Sequence, residues 1–475
     1  MTRIRTELFR QEAGKALKNR HLQEALSDFQ ERISKATATA FSSLPDAEGL
    51  RLEARRARMR AIENLDVLLE RLADKILARG GRVFFARDAR EAVEYCLETA
   101  RRLGVKKVVK GKSMVAEEIG LNEALQEADI QVCETDVGEF IVQLAGEPPS
   151  HIIAPAVHKT KMEVGRLFSE KLGIPYTDDP VALTRAARDA LRQRFLEADM
   201  GISGCNLACA ETGHITTVSN EGNIRMASTL PRVHIAIMGM ERIAARLADH
   251  DVLLRLLCMG AAGQRLAGYV SYLGGPRQPD QEDGPDEFHL VVLDNGRSRI
   301  LADEDFREIL CCIRCAACLN VCPVYGKIGG HAYGHVYCGP VGSVLAPLFV
   351  GVNRAKDLCL GETLCGACRD ACPLHIDLPG MLLRLRSKLA DGDDGWGVKR
   401  ERPAEKLFFM LWAGLVRSPG LYALALSAAA FLQRLLPGAK DTITRLPYPF
   451  HEWTQSRDIK RLDGRAFRKR WKELR

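Results

Sequence analysis

The chain has 475 residues, 46% hydrophobic and 27% charged, an ordinary globular composition with room for two or three domains. Its net charge of +7 is uneven: residues 454–475 hold nine Lys or Arg against three acids and so supply +6. The body is near neutral, which argues against a dedicated nucleic-acid binder. The opening Met1-Thr2-Arg3-Ile4-Arg5-Thr6-Glu7 is polar and mixed in charge, without an apolar export segment, so a cytoplasmic location is expected.

Residues 1–80 read as a helical segment. Leu50, Leu52, Met59, Ile62, Leu65, Leu68, Leu69 and Leu72 recur at helical spacing among many Arg and Glu. The Arg run between Arg51 and Arg60 reads as a solvated helix face. Residues 81–300 then alternate strand and helix. Val83–Ala86, Val105–Lys110 and Ile130–Glu134 are strand-like, with helices expected over Ala89–Leu103 and Met114–Glu127. Strands spaced by helices of roughly 10–15 residues imply a parallel sheet of βαβ units.

Polar clusters punctuate the strand-to-helix turns. Lys110-Gly111-Lys112-Ser113 precedes a helix that Ser113 can cap, and two lysines there could attract a carboxylate or phosphate. Glu134-Thr135-Asp136 follows the third strand, and in open α/β sheets such turns share one crevice. His151 and His158 sit in a proline-punctuated connection, where a structural role outweighs an acid–base one. A helix is expected over Val181–Ala198, then two strands with tight polar turns through His214 and Asn220. Val233–Met238 reads as a strand, Glu241–Cys258 as a helix and Phe288–Leu293 as a late strand. Cys205 and Cys209 have the wrong spacing for a cluster and read as buried small side chains. No GxGxxG follows a strand and no GxxxxGK[ST] occurs, so common nicotinamide and nucleotide sites are unsupported.

Ten of the fifteen cysteines lie between Cys311 and Pro373. They open as Cys312-x2-Cys315-x2-Cys318-x3-Cys322-Pro323 and close as Cys365-x2-Cys368-x3-Cys372-Pro373. The first run is the bacterial ferredoxin pattern, in which three thiolates surround one cubane and the fourth reaches a second. By that crossing rule Cys312, Cys315, Cys318 and Cys372 hold one [4Fe–4S] cluster, and Cys322, Cys365 and Cys368 join on another. Zinc or disulfides do not explain two CxxC…CP blocks of this kind. Glu362 stands where the second motif should begin. Cys359 or Cys338 could supply the missing thiolate; otherwise the second cluster has an unusual ligand or only three irons. Cys311 reads as a neighbour. Residues 301–390 thus form a two-cluster module.

Residues 391–475 make a helical and basic region. It opens with a linker at Asp391-Gly392-Asp393-Asp394-Gly395. The apolar runs Phe408–Val416 and Leu421–Leu432 each fall short of the roughly 20 residues of a spanning helix. A helical pair docking on the protein or a partner is expected, with a peripheral membrane contact through the basic tail as the alternative.

Taken together, these motifs are specific enough to name a family. Val108-Val109-Lys110-Gly111-Lys112-Ser113-Met114, Glu134-Thr135-Asp136, Pro149-Ser150-His151 and Asn220-Glu221-Gly222-Asn223 resemble the LUD, or lactate utilization, domain. With the two cysteine motifs and Gly339-Pro340-Val341-Gly342, the order resembles the iron–sulfur B proteins of bacterial lactate utilization. The resemblance implies an α/β sheet like that of sugar-phosphate isomerases and CoA-transferases, followed by an all-α module with two [4Fe–4S] clusters. It also implies companion subunits, a second cysteine-rich iron–sulfur protein and a small LUD protein, and a role in carrying electrons from L-lactate oxidation. Lactate oxidation removes two electrons, whereas a cubane passes one. No flavin or nicotinamide fingerprint is visible, which favours an electron-transfer subunit. The alternative makes the α/β domain the dehydrogenase site, with Lys110 or Lys112 on the lactate carboxylate and His151 or His214 taking a proton.

Overall fold

The computed structural model describes residues 4–399, 403–448, 450–455, 457–462, 467, 471, 473 and 474. Most of the basic tail beyond 462, like the first three residues, lies outside the described residues. The chain divides into two compact units, Met1–Lys399 and Arg400–Arg475. The helical segment, the α/β region and the cysteine motifs all lie in the first unit.

Four helices open the chain: Phe9–Ala16, Arg20–Ser42, Ala47–Glu63 and Leu65–Ala78. Asn19 and Asp46 cap the second and third by accepting from the amides of Leu22 and Gly49. The fourth buries Leu65, Leu68, Leu72 and Ile76 along one stripe.

The strands follow as β1 (Arg82–Ala86), β2 (Lys107–Lys110), β3 (Gln131–Glu134), β4 (Met200–Gly204), β5 (Leu207–Cys209), β6 (His214–Ser219), β7 (Val233–Gly239), β8 (Ile243–Ala244), β9 (Tyr269–Leu273) and β10 (Glu287–Leu293). The main sheet runs β1-β10-β7-β4-β2-β3 with every neighbour parallel. A parallel sheet must be covered on both faces, and the pleat of β7 serves both. Val233, Ile235 and Ile237 join the core of the helix Ala89–Arg102, whereas Ala236 and Met238 join that of the N-terminal helices. The same second core continues without a break into Cys315, Leu319 and Val344. A smaller sheet, β8-β5-β6-β9, lies beside the main one.

Three expectations about the secondary structure need correction. Met114–Glu127 is two helices, Met114–Glu118 and Leu121–Glu127, because Gly120 between them adopts φ +68°. Three strands rather than two occupy 199–223. The helix expected from Glu241 begins at Leu247, since Ile243 and Ala244 instead pair with Ala208 and Cys209.

In the second unit the apolar runs form the helices Pro403–Arg417 and Pro419–Leu432, the latter capped by Ser418. They meet at a bend of 107° and leave Leu411, Leu424 and Phe431 exposed. No single helix among the described residues is long and apolar enough to cross a membrane.

The Arg run is a solvated face only in part: Arg56 and Arg60 are exposed, but Arg51, Arg55 and Arg58 turn inward. Arg58 is fully buried. It donates through Nη1 to the Ile243 carbonyl at 2.6 Å, and through Nη2 to those of Glu241 at 2.6 Å and Leu310 at 2.7 Å. Its Nε reaches the Cys311 carbonyl at 3.3 Å. Burial pulls its pKa below the ordinary arginine value. One helical turn away, Arg55 donates to the carbonyls of Leu374 and His375 and pairs with Glu308. Arg51 reaches the Asp370 carbonyl at 3.2 Å. One stripe of the third helix therefore grips both cysteine motifs.

Replacing Arg58 with Met leaves four carbonyls without this donor. The free energy of unfolding is expected to fall by about 3 kcal/mol, read from denaturant unfolding of the intact protein. A loss under about 0.5 kcal/mol, typical of a surface site, would contradict this role.

Candidate iron–sulfur centre

Each cysteine motif is built on a pair of left-handed residues. In the first, Arg314 (φ +59°) and Ala316 (φ +63°) flank Cys315; in the second, Leu364 (φ +56°) and Gly366 (φ +88°) flank Cys365. Left-handed backbone is costly outside glycine, and its repetition marks turns fixed by their surroundings. Both turns feed a short helix, Ala317–Asn320 with Cys318 and Ala367–Ala371 with Cys368, and the two helices pack together.

Cys372 of the second motif packs against the first. Cys312, Cys315 and Cys318 line one small cavity together with Cys372 from the second motif. Ile313, Val341, Pro373 and Leu374 complete its apolar wall. Among the described residues no three His, Cys, Asp or Glu side chains close on a point as a single ion requires. Four cysteines around a largely apolar hollow fit a polynuclear cluster. Burial pushes the Cys315 and Cys318 thiols above their ordinary range, so their thiolate forms depend on neutralising metal charge.

The other three motif cysteines differ in exposure. Cys365 is exposed, whereas Cys322 and Cys368 are buried. Cys322 Sγ accepts the Tyr325 amide at 3.4 Å and lies 3.5 Å from Glu362 Oε2. Burial first, then the Glu362 carboxylate and Cys365, push the Cys368 thiol up to about 12. The remaining thiols point elsewhere. Cys359 Sγ turns back to the Ala355 carbonyl of its own helix, and Cys338 Sγ faces that of Ser150. Cys311 Sγ lies 3.3 Å from Met59 Sδ.

Beside the first cysteine turn, at the carboxyl edge of the main sheet, lies a cavity of about 260 Å³ lined in part by Lys112, Asp136, Cys205, Glu221, Arg242 and Arg314. Arg242 donates to the carbonyls of Cys312 at 2.9 Å and Ile313 at 3.2 Å, and also to that of Asn206. Arg314 donates its amide to Cys312 Sγ at 3.4 Å and stacks over the Tyr337 ring at 4.9 Å. Its Nη2 lies 3.5 Å from Glu241, while Nη1 is buried without a hydrogen-bond partner. Glu241 also binds Arg297, which holds Glu118 through two bonds of 2.9 and 2.8 Å. Burial would raise the Glu118 carboxyl, but Arg297 outweighs it and holds it down at about 2. Neither Arg242 nor Arg314 stands out in the sequence, although Arg314 lies inside the first CxxC.

Of the four residues weighed for substrate chemistry, only Lys112 lines this cavity, where it pairs with Glu139 at 3.3 Å. Lys110 is sealed between Glu134 at 2.8 Å and Glu117 at 3.1 Å. His151 accepts the amides of Ile153 and Ala154 on Nδ1, so its Nε2 proton faces Asn320 Oδ1 at 3.1 Å. Both nitrogens are engaged. His214 is half-buried beside Arg79 and Lys75, away from the cavity lining.

Residues 69–293 match the LUD domain, 308–376 the 4Fe-4S dicluster domain and 386–475 the C-terminal domain of lactate utilisation protein B. Lactate utilization protein B of Bacillus velezensis is 45% identical over 460 residues, covering 96% of this chain and 95% of its own. The chain belongs to the lactate utilization protein B family. The Bacillus subtilis protein of that name is 42% identical over 96% of this chain and 94% of its own. An Escherichia coli relative at 44%, covering 95% of this chain and 94% of its own, is named uncharacterized electron transport protein YkgF. A member of the family therefore carries a 4Fe-4S dicluster domain against a parallel-sheet LUD domain here.

Burial pulls the pKa of His151 and of His234, which bonds Ser203 in the core, down to about 3. The unfolded chain takes up these protons first, so the stability they contribute is present above about pH 6.5 and lost as pH falls below it. Unfolding midpoints measured from pH 7.5 to 5 are expected to decline. The variant His234→Asn should flatten that decline by about one proton; an unchanged slope would contradict it.

Proposed function

We propose that this chain is the iron–sulfur electron-transfer subunit of an L-lactate oxidation system and binds two [4Fe–4S] clusters. Cys312, Cys315, Cys318 and Cys372 would hold the inner one, and Cys322, Cys365 and Cys368 would belong to the outer. The position of Cys372, brought from the second motif into the cavity of the first, carries this reading. When bound, each cubane takes up and releases one electron at a time. The residues set the direction of approach: the inner cysteines face the LUD sheet through Arg242 and Arg314, while Cys365 opens to solvent where a partner can come near. In this reading the sheet resembles the sugar-phosphate isomerase and CoA-transferase folds. Companion subunits, a second iron–sulfur protein and a small LUD protein, supply the two-electron step. The exposed helices of the second unit suit docking on such a partner. Free cluster thiols suit a reducing, cytoplasmic setting.

A second reading is favoured by one observation, the unpartnered Nη1 of Arg314 in a cavity also lined by Lys112. There the LUD domain itself would hold the lactate carboxylate.

The two separate cleanly. Purified, cluster-loaded chain mixed with L-lactate and an artificial acceptor is expected to give no lactate-dependent reduction until the companion subunits are added. Reduction by the chain alone, lost in Arg314→Leu, would establish the second reading instead.

A further inference from the structure

The two motifs repeat residue for residue. Cys315, Cys318, Cys322 and Pro323 of the first correspond to Cys365, Cys368, Cys372 and Pro373 of the second, and the left-handed pairs fall at matching places. In this register the partner of Cys312 is Glu362. Its carboxylate is held as a ligand would be. Oε1 accepts from Ser343 Oγ at 3.0 Å and Tyr333 Oη at 3.3 Å, which fixes the group by two hydroxyl donors. Oε2 is left facing Cys322 Sγ at 3.5 Å. The main chain is fixed as well, since Arg386 donates to the carbonyls of Cys359 at 2.7 Å and Glu362 at 2.8 Å. Arg242 does the same to the carbonyl of Cys312 in the first motif.

Resting on the two-cluster reading above, we propose that Glu362 is the fourth ligand of the outer cluster, binding one iron through Oε2. The hydroxyls of Ser343 and Tyr333 orient it from behind, as outer-shell donors orient ligating carboxylates elsewhere. Iron accepts carboxylate oxygen as well as thiolate, so a cubane with three sulfur ligands and one oxygen is chemically sound. Cys359 and Cys338 instead turn their sulfurs to backbone carbonyls, those of Ala355 and Ser150.

The test compares wild type, Glu362→Gln, Glu362→Cys, Cys359→Ala and Cys338→Ala, reconstituted anaerobically, by iron content and EPR of the oxidised and reduced protein. Wild type is expected to hold about eight irons per chain. Glu362→Gln should lose one of them and show a three-iron signal when oxidised. Glu362→Cys should restore the four-iron outer cluster, which separates loss of a ligand from loss of the fold. Both cysteine variants should match wild type. Glu362→Gln with all its irons and an unchanged spectrum would overturn the assignment, as would iron loss in Cys359→Ala or Cys338→Ala. A wild-type protein that already carries a three-iron outer cluster would also overturn it, while leaving two clusters in place. Four irons or fewer in wild type would remove the two-cluster reading itself.

Discussion

Two buried guanidiniums hold the main chain that leads into the first cysteine turn. Arg58, from an N-terminal helix, takes the carbonyls of Leu310 and Cys311, and Arg242, from the LUD domain, takes those of Cys312 and Ile313. Four successive carbonyls are thus fixed by two cations. A buried charge is tolerated only when its donors are satisfied, and Arg58 meets that condition with backbone oxygens alone. The consequence is that the turn is shaped by groups that do not touch metal. Thiols this deeply buried stay protonated without it, so a frame set in advance by carbonyl contacts spares them the work of organising the loop.

The same contacts explain why the cysteine motifs are built into the LUD domain rather than appended to it. One apolar core runs from the N-terminal helices through β7 into the cluster region. The chain of Glu118, Arg297, Glu241 and Arg314 carries buried charge from the sheet's carboxyl edge to the residue between Cys312 and Cys315. That edge is where α/β sheets gather ligands, and here its cavity borders the inner cysteines, with the exposed Cys365 in the other motif. An inner end beside this cavity and an outer end at the exposed Cys365 would give the proposed wire its polarity.

Much of this was legible in the sequence. The βαβ alternation is a local signal, and so is the spacing of the cysteines; both survive in the fold because period and turn chemistry act over a few residues. What could not be read depends on distant contacts. The Arg run looks solvated because its carbonyl partners lie some 180 to 320 positions away, as the separations of Arg58 from Ile243 and of Arg55 from His375 show. Lys110 looked available for substrate, yet Glu134 and Glu117 consume it once the chain folds, whereas His151 takes the structural role expected of it. The helix expected from Glu241 failed because pairing of Ile243 with Ala208 overrides a helical pattern. Glu362 was visible as a gap in a motif, but only its two hydroxyl donors and its approach to Cys322 give that gap a chemical meaning.

The central claim is that two cysteine groups, each completed from the other motif, hold separate cubanes close enough to sense one another. Anaerobic iron and sulfide analysis with EPR of the fully reduced wild-type protein tests it most directly. The account predicts about eight irons with matching sulfide and two spin-half signals split by mutual interaction. Zinc in place of iron, or a single isolated signal at full reduction, would contradict it.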